Sequence, residues 1–217
     1  MQQVKIGIQA RSTSKRFPNK IFEKIDGVEM LQMVIDACKN AERYINRHSM
    51  KYNYSASTAV LCPYDDPLVE KYKNKVEIIE GEEFDVLSRY VNAVENCHWA
   101  VRVTADCPLI PPFIISKSVM IAVKNKYDYF SNVDPRVRLA CDGHDTEVIS
   151  KNLLLWMDKK ELDQQDREHV TTHIRKEHEG NRLPDWALVG TFISPLPMQA
   201  IKLSVDCHAD LEKVRRV

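Results

Sequence analysis

Short apolar segments alternate with amphipathic segments from the N-terminus to about residue 130, and this alternation constrains the fold more than any other feature. Residues 4–10, 58–62 and 99–103 are short and mostly apolar, which is typical of buried strands. Between them, apolar residues recur at helical spacing in 30–37 and 84–96. Strands that alternate with helices over short connections predict an α/β fold, with a mostly parallel central sheet and helices on both faces.

The alternation breaks down between about 132 and 195. This part predicts a strand and two helices, the second over 167–178, and a further strand follows over 202–205. We interpret 132–195 as a small strand-and-helix excursion that forms an acceptor lid or a subunit contact. The chain has only six glycines and no glycine-rich linker, so residues 1–217 are predicted to form a single domain.

The overall charge excludes some classes of partner. Lys plus Arg number 31 and Asp plus Glu number 31, which argues against attraction to nucleic acid or to an anionic membrane. The six cysteines form no CxxC pair, and their spacings match no zinc finger or compact disulfide framework. The N-terminus lacks the order of a signal peptide, and no apolar run reaches membrane-spanning length. We therefore expect a cytoplasmic protein without nucleic-acid or membrane partners.

The loop that follows the first predicted strand is rich in cations. Arg11, Lys15, Arg16 and Lys20 lie within ten residues, among three hydroxyl side chains. Ligands of open parallel sheets bind beyond the carboxyl ends of the strands, and guanidinium groups pair well with phosphate oxygens. The loop is a candidate phosphate site, although a solvated basic loop has the same composition. The Walker pattern GxxxxGK[ST] and the dinucleotide pattern GxGxxG are both absent.

The spacing of this loop resembles the signature A-R-x-x-S-x-R-x-P-x-K of CMP-sugar synthetases, which is filled here by Ala10, Arg11, Ser14, Arg16, Pro18 and Lys20. That family includes the ketodeoxyoctulosonate and acylneuraminate cytidylyltransferases, and the chain resembles in particular the bacterial subgroup named for a spore-coat polysaccharide protein. The resemblance implies a Rossmann-like nucleotide-diphospho-sugar transferase fold, CTP as substrate and a homodimer.

The same resemblance assigns roles to residues of the loop and beyond it. It implies that Arg11, Lys20 and Asp106 are catalytic. Arg11 and Lys20 are implied to hold the triphosphate. The residues implied to bind the nucleotide are Ala10, Arg11, Ser12, Ser14, Arg16, Lys20, Arg89 and Thr104. In the subgroup, glycines occupy the positions of Asn19 and Ala105, and asparagine tolerates left-handed backbone angles better than most residues.

Two acidic residues are candidate metal ligands. Asp106 lies in R-x-T-x-D-C-P-L-I and Asp206 in a V-D-x-x-x-D-L-E segment, and both segments resemble blocks of the family. The resemblance implies that Asp106 and Asp206 bind Mg²⁺, which bridges phosphate oxygens. Taken alone, Asp106 is better interpreted as a helix cap or turn residue and Asp206 as a helix cap.

The acceptor side is implied by two further segments, D-G-x-D-x-E-V and R-E-H-V-T. A small acidic, sugar-like acceptor would contact Asp142, Asp145, Glu147, Arg167 and His169. Glu168 is expected to pair with Arg167 or to cap its helix. Solvated acids at a strand edge are an equally good interpretation of the first segment.

The sequence thus predicts an enzyme that transfers CMP from CTP to an acidic sugar and releases pyrophosphate. Alternatives remain a non-sugar phosphorylated or carboxylated acceptor, and a nucleotide-binding protein without catalysis. His169 and His173, four residues apart on one predicted helix, also fit a zinc hydrolase, but HExxH is not formed. Cys107 lacks a base fixed near it in sequence and is interpreted as a core cysteine.

Overall fold

A seven-stranded sheet organises the protein. The computed structural model describes residues 1–48, 53–134, 140–179, 183–192 and 198–217. The strands are β1 (Gln2–Gln9), β2 (Lys24–Ile25), β3 (Val28–Glu29), β4 (Tyr54–Pro63), β5 (Glu77–Gly81), β6 (Trp99–Thr104), β7 (Tyr129–Ser131), β8 (Glu147–Ser150) and β9 (Val189–Thr191). The helices are α1 (Met30–Arg47), α2 (Leu68–Tyr72), α3 (Val86–Ala93), α4 (Pro112–Asn125), α5 (Lys151–Asp158), α6 (Gln164–His169), α7 (Thr172–Glu179) and α8 (His208–Val214).

The strand order of the large sheet is β5-β4-β1-β6-β8-β7-β9, and β2 pairs with β3 separately. β1 runs parallel to β4 and β6, β4 parallel to β5, and β7 parallel to β9. Only β8 runs antiparallel to its neighbours β6 and β7 within this sheet of described residues. The predicted fold class, an α/β fold with a mostly parallel sheet, is therefore confirmed.

Helices cover both faces of the sheet because strand side chains alternate between the two faces. On one face, Val4, Ile6 and Ile8 of β1 are buried in a core formed with α1 and α4. On the other face, Ala59 and Leu61 of β4 are buried in a second core with α3 and α5. Burial on both sides explains why the central strand sequences are mostly apolar.

The structure differs from the sequence interpretation in the segment 132–195. β8 lies inside the sheet and β9 at its edge, so part of the predicted excursion belongs to the sheet itself. Residues 193–195 of this segment, together with Arg136 and Arg138, lie outside the described residues. None of the helices among the described residues is long and apolar enough to cross a membrane.

The predicted helix 167–178 was wrong, because the chain forms two helices there. Val170 has φ 57° and ψ −60°, and its neighbour Thr171 donates a backbone hydrogen bond to His169 O at 2.6 Å. This is a γ-turn with positive φ, a strained conformation for a β-branched residue. His169 ends α6 and His173 lies in α7, so the two histidines do not share one helix as the zinc alternative requires.

The predicted strand 202–205 was also wrong. It makes a single bridge, between Lys202 and Asp142. The backbone N–H groups of Leu203 and Ser204 both donate to Asp142 O, at 2.6 and 3.2 Å, and Val205 N donates to Asp106 O at 2.8 Å. The backbone donors therefore bind two separate loops instead of a neighbouring strand.

Gly143 makes this loop packing feasible. Its φ is +109°, and an added Cβ would lie 2.6 Å from the backbone of Leu203 and Ser204. Gly27, in the β2–β3 turn, has φ +81° but open space around it. A comparison of substitutions at Gly27 and Gly143 therefore separates the effect of backbone strain from the effect of steric overlap.

We expect Gly143→Ala to destabilise the protein more than Gly27→Ala. The Gly27 variant should lose about 1–2 kcal/mol from left-handed backbone strain alone. The Gly143 variant should lose roughly 1–3 kcal/mol more, because the methyl group overlaps backbone atoms that cannot rotate away. Urea unfolding followed by circular dichroism measures both, and equal losses would contradict the packing described.

Candidate active site

A cleft lies where the carboxyl ends of β1 and β6 meet. The two strands are parallel neighbours, so the segments that follow them emerge at the same edge of the sheet. The cleft has a volume of about 420 Å³, which is within the usual size of ligand pockets. The sequence-predicted site residues that line it are Ala10, Arg11, Ser14, Arg16, Lys20, Arg89, Thr104, Asp106 and His169.

The basic loop after β1, residues 10–20, is held in place by Asp66. One carboxylate oxygen of Asp66 accepts a hydrogen bond from Ser12 N at 2.8 Å, and the other accepts from Leu68 N at 3.0 Å at the start of α2. Ser12 itself is buried and does not line the cleft. Asn19 closes the loop with φ 59°, and its N–H donates to Ser12 O at 2.9 Å. The predicted tolerance of asparagine for a left-handed turn is confirmed.

Lys20 connects the basic loop to the end of β6. Its ammonium group donates to Asp106 Oδ2 at 3.0 Å and to Val205 O at 2.8 Å. Burial opposes ionisation of Asp106, but the charge and hydrogen bond of Lys20 prevail and lower the pKa of the carboxyl. Ala105 is not among the described residues with positive φ, so the backbone beside Asp106 does not require glycine.

Asp206 lies in a second charged group beside the cleft. It accepts hydrogen bonds from Arg16 at 2.8 Å and from Lys202 at 3.0 Å. Lys202 also donates to Asp210 at 2.7 Å, and Asp210 accepts from the backbone N–H of Asp206 at 3.0 Å. Val205 is hydrogen-bonded to both Lys20 and Asp106. Because Asp206 is the next residue along the chain, these contacts also bring its carboxylate to the site.

The donor set fits the predicted Mg²⁺ ion. Mg²⁺ prefers oxygen ligands and is usually held by one or two carboxylates, substrate phosphates and waters. Asp106 and Asp206 supply two carboxylates, and each contacts a cation, Lys20 at 3.0 Å and Arg16 at 2.8 Å respectively. In the described part of the chain, no group of three or more acidic, histidine or cysteine side chains is arranged for a metal.

Glu168 pairs with Arg11, so the expected pairing with Arg167 was wrong. Arg11 Nη2 donates to Glu168 Oε1 at 2.9 Å, and its Nη1 lies 3.8 Å from Glu83 Oε1. Arg167 instead contacts Asp85 and Asp158, each at 2.8 Å. The structure does not bring Arg167 into the cleft, because these two carboxylates hold it between α3 and α5.

Arg89, which also lines the cleft, is a buried cation. It is 1% exposed and donates to Leu61 O at 3.2 Å and to Glu83 O at 3.1 Å. Its Nε has no hydrogen-bond partner among the described residues, and burial lowers the pKa of the guanidinium. No carboxylate among the described residues forms an ion pair with it, although the charge of Asp85 acts on it from a longer distance.

Glu147 is buried rather than exposed to the cleft. It is 1% exposed, accepts from Tyr129 Oη at 2.6 Å and pairs with Arg102 at 2.7 Å and Arg175 at 3.5 Å. Burial raises the pKa of this carboxyl, but the two guanidinium groups outweigh burial and lower it. Sequence reasoning missed Arg102, which lines the cleft. The signal was available, since residues 102 and 104 share one face of β6.

The remaining acceptor candidates lie outside the cleft lining. Asp142 and Asp145 are partly buried, and both lie close enough to Cys107 to raise the pKa of its thiol. Burial is the larger cause of that shift, followed by Asp106. The thiol of Cys107 therefore stays protonated, in agreement with the interpretation as a core cysteine.

A Rossmann-like sheet with a basic loop and two carboxylates at its carboxyl edge defines a nucleotidyltransferase. Residues 6–185 match the family model described as Cytidylyltransferase. The chain belongs to the cytidylyltransferase family.

Two relatives extend this likeness. The uncharacterized protein MJ1063 of Methanocaldococcus jannaschii is 31% identical over 170 residues, which are 77% of this chain and 65% of MJ1063. The chain thus spans less than two thirds of the length of that relative. The spore coat polysaccharide biosynthesis protein SpsF of Bacillus subtilis is 24% identical over 216 residues, which are 96% of this chain and 83% of SpsF.

Solved structures share the fold. A cytidylyltransferase from Leptospira borgpetersenii has a TM-score of 0.84 and 24% identity, and the match covers 99% of this chain and 86% of that chain. CMP:2-keto-3-deoxy-manno-octonic acid synthetase in complex with CTP has a TM-score of 0.67 and 17% identity, covering 100% and 98%. The predicted resemblance to CMP-sugar synthetases and the predicted Rossmann-like fold are confirmed.

We expect Asp210→Asn to destabilise the protein at neutral pH but not in acid. Burial opposes ionisation of Asp210, yet the hydrogen bonds from Lys202 and from Asp206 N lower its pKa from 3.8 to about 2. A lowered pKa contributes stability above the unfolded value and loses it as pH falls toward the folded value. The difference in unfolding free energy, about 1–2 kcal/mol at pH 7, should therefore shrink between pH 4 and pH 2.

Urea unfolding at several pH values measures this difference. Glu212→Gln, which alters an exposed ion pair on the same helix, is the matched control and should have almost no effect. A constant difference for Asp210→Asn across the acid range would contradict the role of its carboxylate.

Proposed function

We propose that this protein transfers CMP from CTP to a small acidic, sugar-like acceptor and releases pyrophosphate. The observation that carries the proposal is the contact between Lys20 of the basic loop and Asp106 of β6, in a chain of the cytidylyltransferase family. That contact puts a phosphate-binding cation and a metal-binding carboxylate on one side of the same cleft. The fold, shared with a synthetase solved in complex with CTP, supports CTP as the nucleotide.

The triphosphate binds the basic loop in this proposal. Arg11 and Lys20 are each engaged with a carboxylate, Glu168 and Asp106 respectively, and line the cleft. A nucleotide carrying about four negative charges competes for these cations, and guanidinium forks bind phosphate oxygens in pairs. The β- and γ-phosphates, which leave as pyrophosphate, therefore gain charge stabilisation from the loop as the bond breaks.

The cytidine part lies toward Arg89. The guanidinium of Arg89 is buried without a carboxylate and is fixed by carbonyl oxygens at the end of β4 and at Glu83. A buried cation without an ion pair favours a ligand with hydrogen-bond acceptors, such as the oxygen and ring nitrogen of cytosine. Ala10 and Ser14 of the loop line the cleft between this side and the phosphates.

The reaction is a displacement at the α-phosphorus. An acceptor oxygen forms a bond to phosphorus while the bond to the oxygen that bridges to the β-phosphate breaks, and no covalent enzyme intermediate is needed. Asp106 and Asp206 would hold Mg²⁺, which supplies charge neutralisation on the phosphate oxygens. The residues of the chain contribute orientation: Lys20 fixes Asp106, and Arg16 with Lys202 fixes Asp206.

The acceptor class follows from relatives and from the charge of the site. One relative is named for spore coat polysaccharide biosynthesis, and one structural neighbour for 2-keto-3-deoxy-manno-octonic acid, which is an acidic sugar. His169, which lines the cleft, and Asp142 and Asp145, which lie close to Cys107, would bind the hydroxyl and acidic groups of such a sugar. A phosphorylated or carboxylated metabolite without a sugar ring carries the same kind of negative charge and is the alternative acceptor.

We also propose that the protein is a cytoplasmic homodimer that uses the segment 132–195 for contact. Trp186 and Leu188 of this segment are 50% and 49% exposed, which supports a contact surface. No disulfide joins the six cysteines, all of which lie in the described part of the chain, and this fits a reducing compartment. Light scattering after size-exclusion chromatography should give twice the chain mass, and the mass of one chain would contradict the proposal.

The direct test is pyrophosphate release with Mg²⁺ and each of CTP, UTP, ATP and GTP, against a panel of acidic sugars and small phosphorylated metabolites. We expect release with CTP and one acceptor, and a loss of at least about 100-fold in Asp106→Asn. Asp36→Asn, which removes an exposed carboxylate from α1, is the control and should retain activity.

Two outcomes would contradict the proposal. Equal activity of Asp106→Asn and the wild type would exclude the assigned role of this carboxylate. Failure of the wild type to bind any nucleotide in calorimetry would exclude a nucleotidyltransferase altogether.

A further inference from the structure

Arg102 is anchored at two of its three nitrogen atoms. Its Nε donates to Gln9 Oε1 at 3.2 Å, and its Nη1 donates to Glu147 Oε2 at 2.7 Å. Among the described residues, Nη2 has no hydrogen-bond partner, and Arg102 lines the cleft. A guanidinium held by two fixed acceptors is oriented before a ligand arrives, so less rotational freedom is lost on binding.

The group around Glu147 carries more positive than negative charge. One buried carboxylate is shared by Arg102 and Arg175, and Tyr129 donates to it as a neutral partner. Two cations against one anion leave a net charge of +1. Arg175 is not among the residues that line the cleft, so the excess charge reaches the cleft through Arg102. Arg102 is not needed merely to neutralise Glu147, because Arg175 also pairs with that carboxylate.

Arg102 and Arg89 lie on opposite sides of the basic loop. Arg89 is bonded to Leu61 on β4, whereas Arg102 is bonded to Glu147 on β8. The strand order places β4 on one side of β1, and β6 and β8 on the other. If the nucleotide extends from Arg89 across the loop, the β6–β8 side is left for the second substrate.

The strained turn at Val170 positions a second group that lines the cleft, His169. The γ-turn ends α6 so that His169 lines the cleft while Val170 is completely buried. Strained backbone of this kind persists where packing over-determines it and is frequent at functional sites. Arg102 and His169 thus both line the cleft, and fixed structure orients each of them.

We propose that Arg102 binds the anionic group of the acceptor, a carboxylate or a phosphate, and that Glu147 acts as its positioning residue. This inference rests on the proposed cytidylyl transfer and assigns part of its acceptor site. It replaces Arg167, which is occupied by two carboxylates, as the arginine that selects an acidic acceptor.

The test uses the full chain saturated with CTP and Mg²⁺, with ¹⁵N-labelled arginine. Pyruvate serves as a carboxylate probe, inorganic phosphate as a phosphate probe and glycerol as a neutral control. We expect the Nε–Hε resonance of Arg102 to shift saturably with one of the two anions and not with glycerol. The anion that produces the shift identifies the acidic group.

The comparison variant is the double substitution Arg102→Gln with Glu147→Gln, which removes both charges and avoids leaving the Glu147 carboxylate without its closest cationic partner. We expect the affinity for the anion to fall by about tenfold or more, while the affinity for CTP changes less than about twofold. Glu77→Gln, which removes a partly exposed carboxylate from the ion pair with Lys5, is the matched control.

The role of Glu147 has its own spectroscopic readout. In the wild type, the anchored guanidinium should show restricted rotation, with separate Nη resonances for Arg102. Glu147→Gln should average these resonances, while Glu77→Gln should not. Unchanged resonances in Glu147→Gln would overturn the positioning role.

Two results would overturn the assignment of Arg102. One is the absence of a saturable shift with either anion in protein that binds CTP. The other is a loss of CTP affinity in the double variant as large as the loss of anion affinity. Failure of the wild type to bind CTP is a different result, because it contradicts the proposed function itself.

Discussion

The ammonium group of Lys20 donates hydrogen bonds to Asp106 at 3.0 Å and to Val205 O at 2.8 Å, and the arrangement of the cleft depends on this contact. It joins the loop after β1, the end of β6 and the C-terminal segment, which are far apart in sequence. Asp206 follows Val205 directly, so the same contact brings the second carboxylate to the site. Three of the four cations of the loop, Arg11, Arg16 and Lys20, are paired with acids, and in the proposed function CTP with its metal would exchange these partners.

The fold was predictable because its signals are local. Short, mostly apolar runs in β1, β4 and β6 and helical spacing in α1 and α3 predicted a mostly parallel sheet. The basic loop was predictable as a site because ligands bind at the carboxyl ends of parallel strands. Its resemblance to a family signature then identified Arg11 and Lys20, and a second resembling segment identified Asp106; all three line the cleft.

The remaining features depend on contacts that no local pattern contains. The break at Val170 arises because buried packing outweighs the helical periodicity of 167–178. Glu168 binds Arg11, 157 positions away, rather than its neighbour Arg167. Glu147 looked like a residue of the acceptor site, but burial beside Arg102 makes it a support for a guanidinium that the sequence analysis did not single out.

The central claim is that one cleft binds CTP, with the triphosphate on the basic loop and the base toward Arg89. A crystal structure of the protein with CTP and Mg²⁺ tests this claim most directly. The account predicts phosphate oxygens on Arg11 and Lys20, and the cytosine ring on the Arg89 side of the loop. CTP bound elsewhere on the protein, or with its base beside Arg102 and its triphosphate away from residues 10–20, would contradict it.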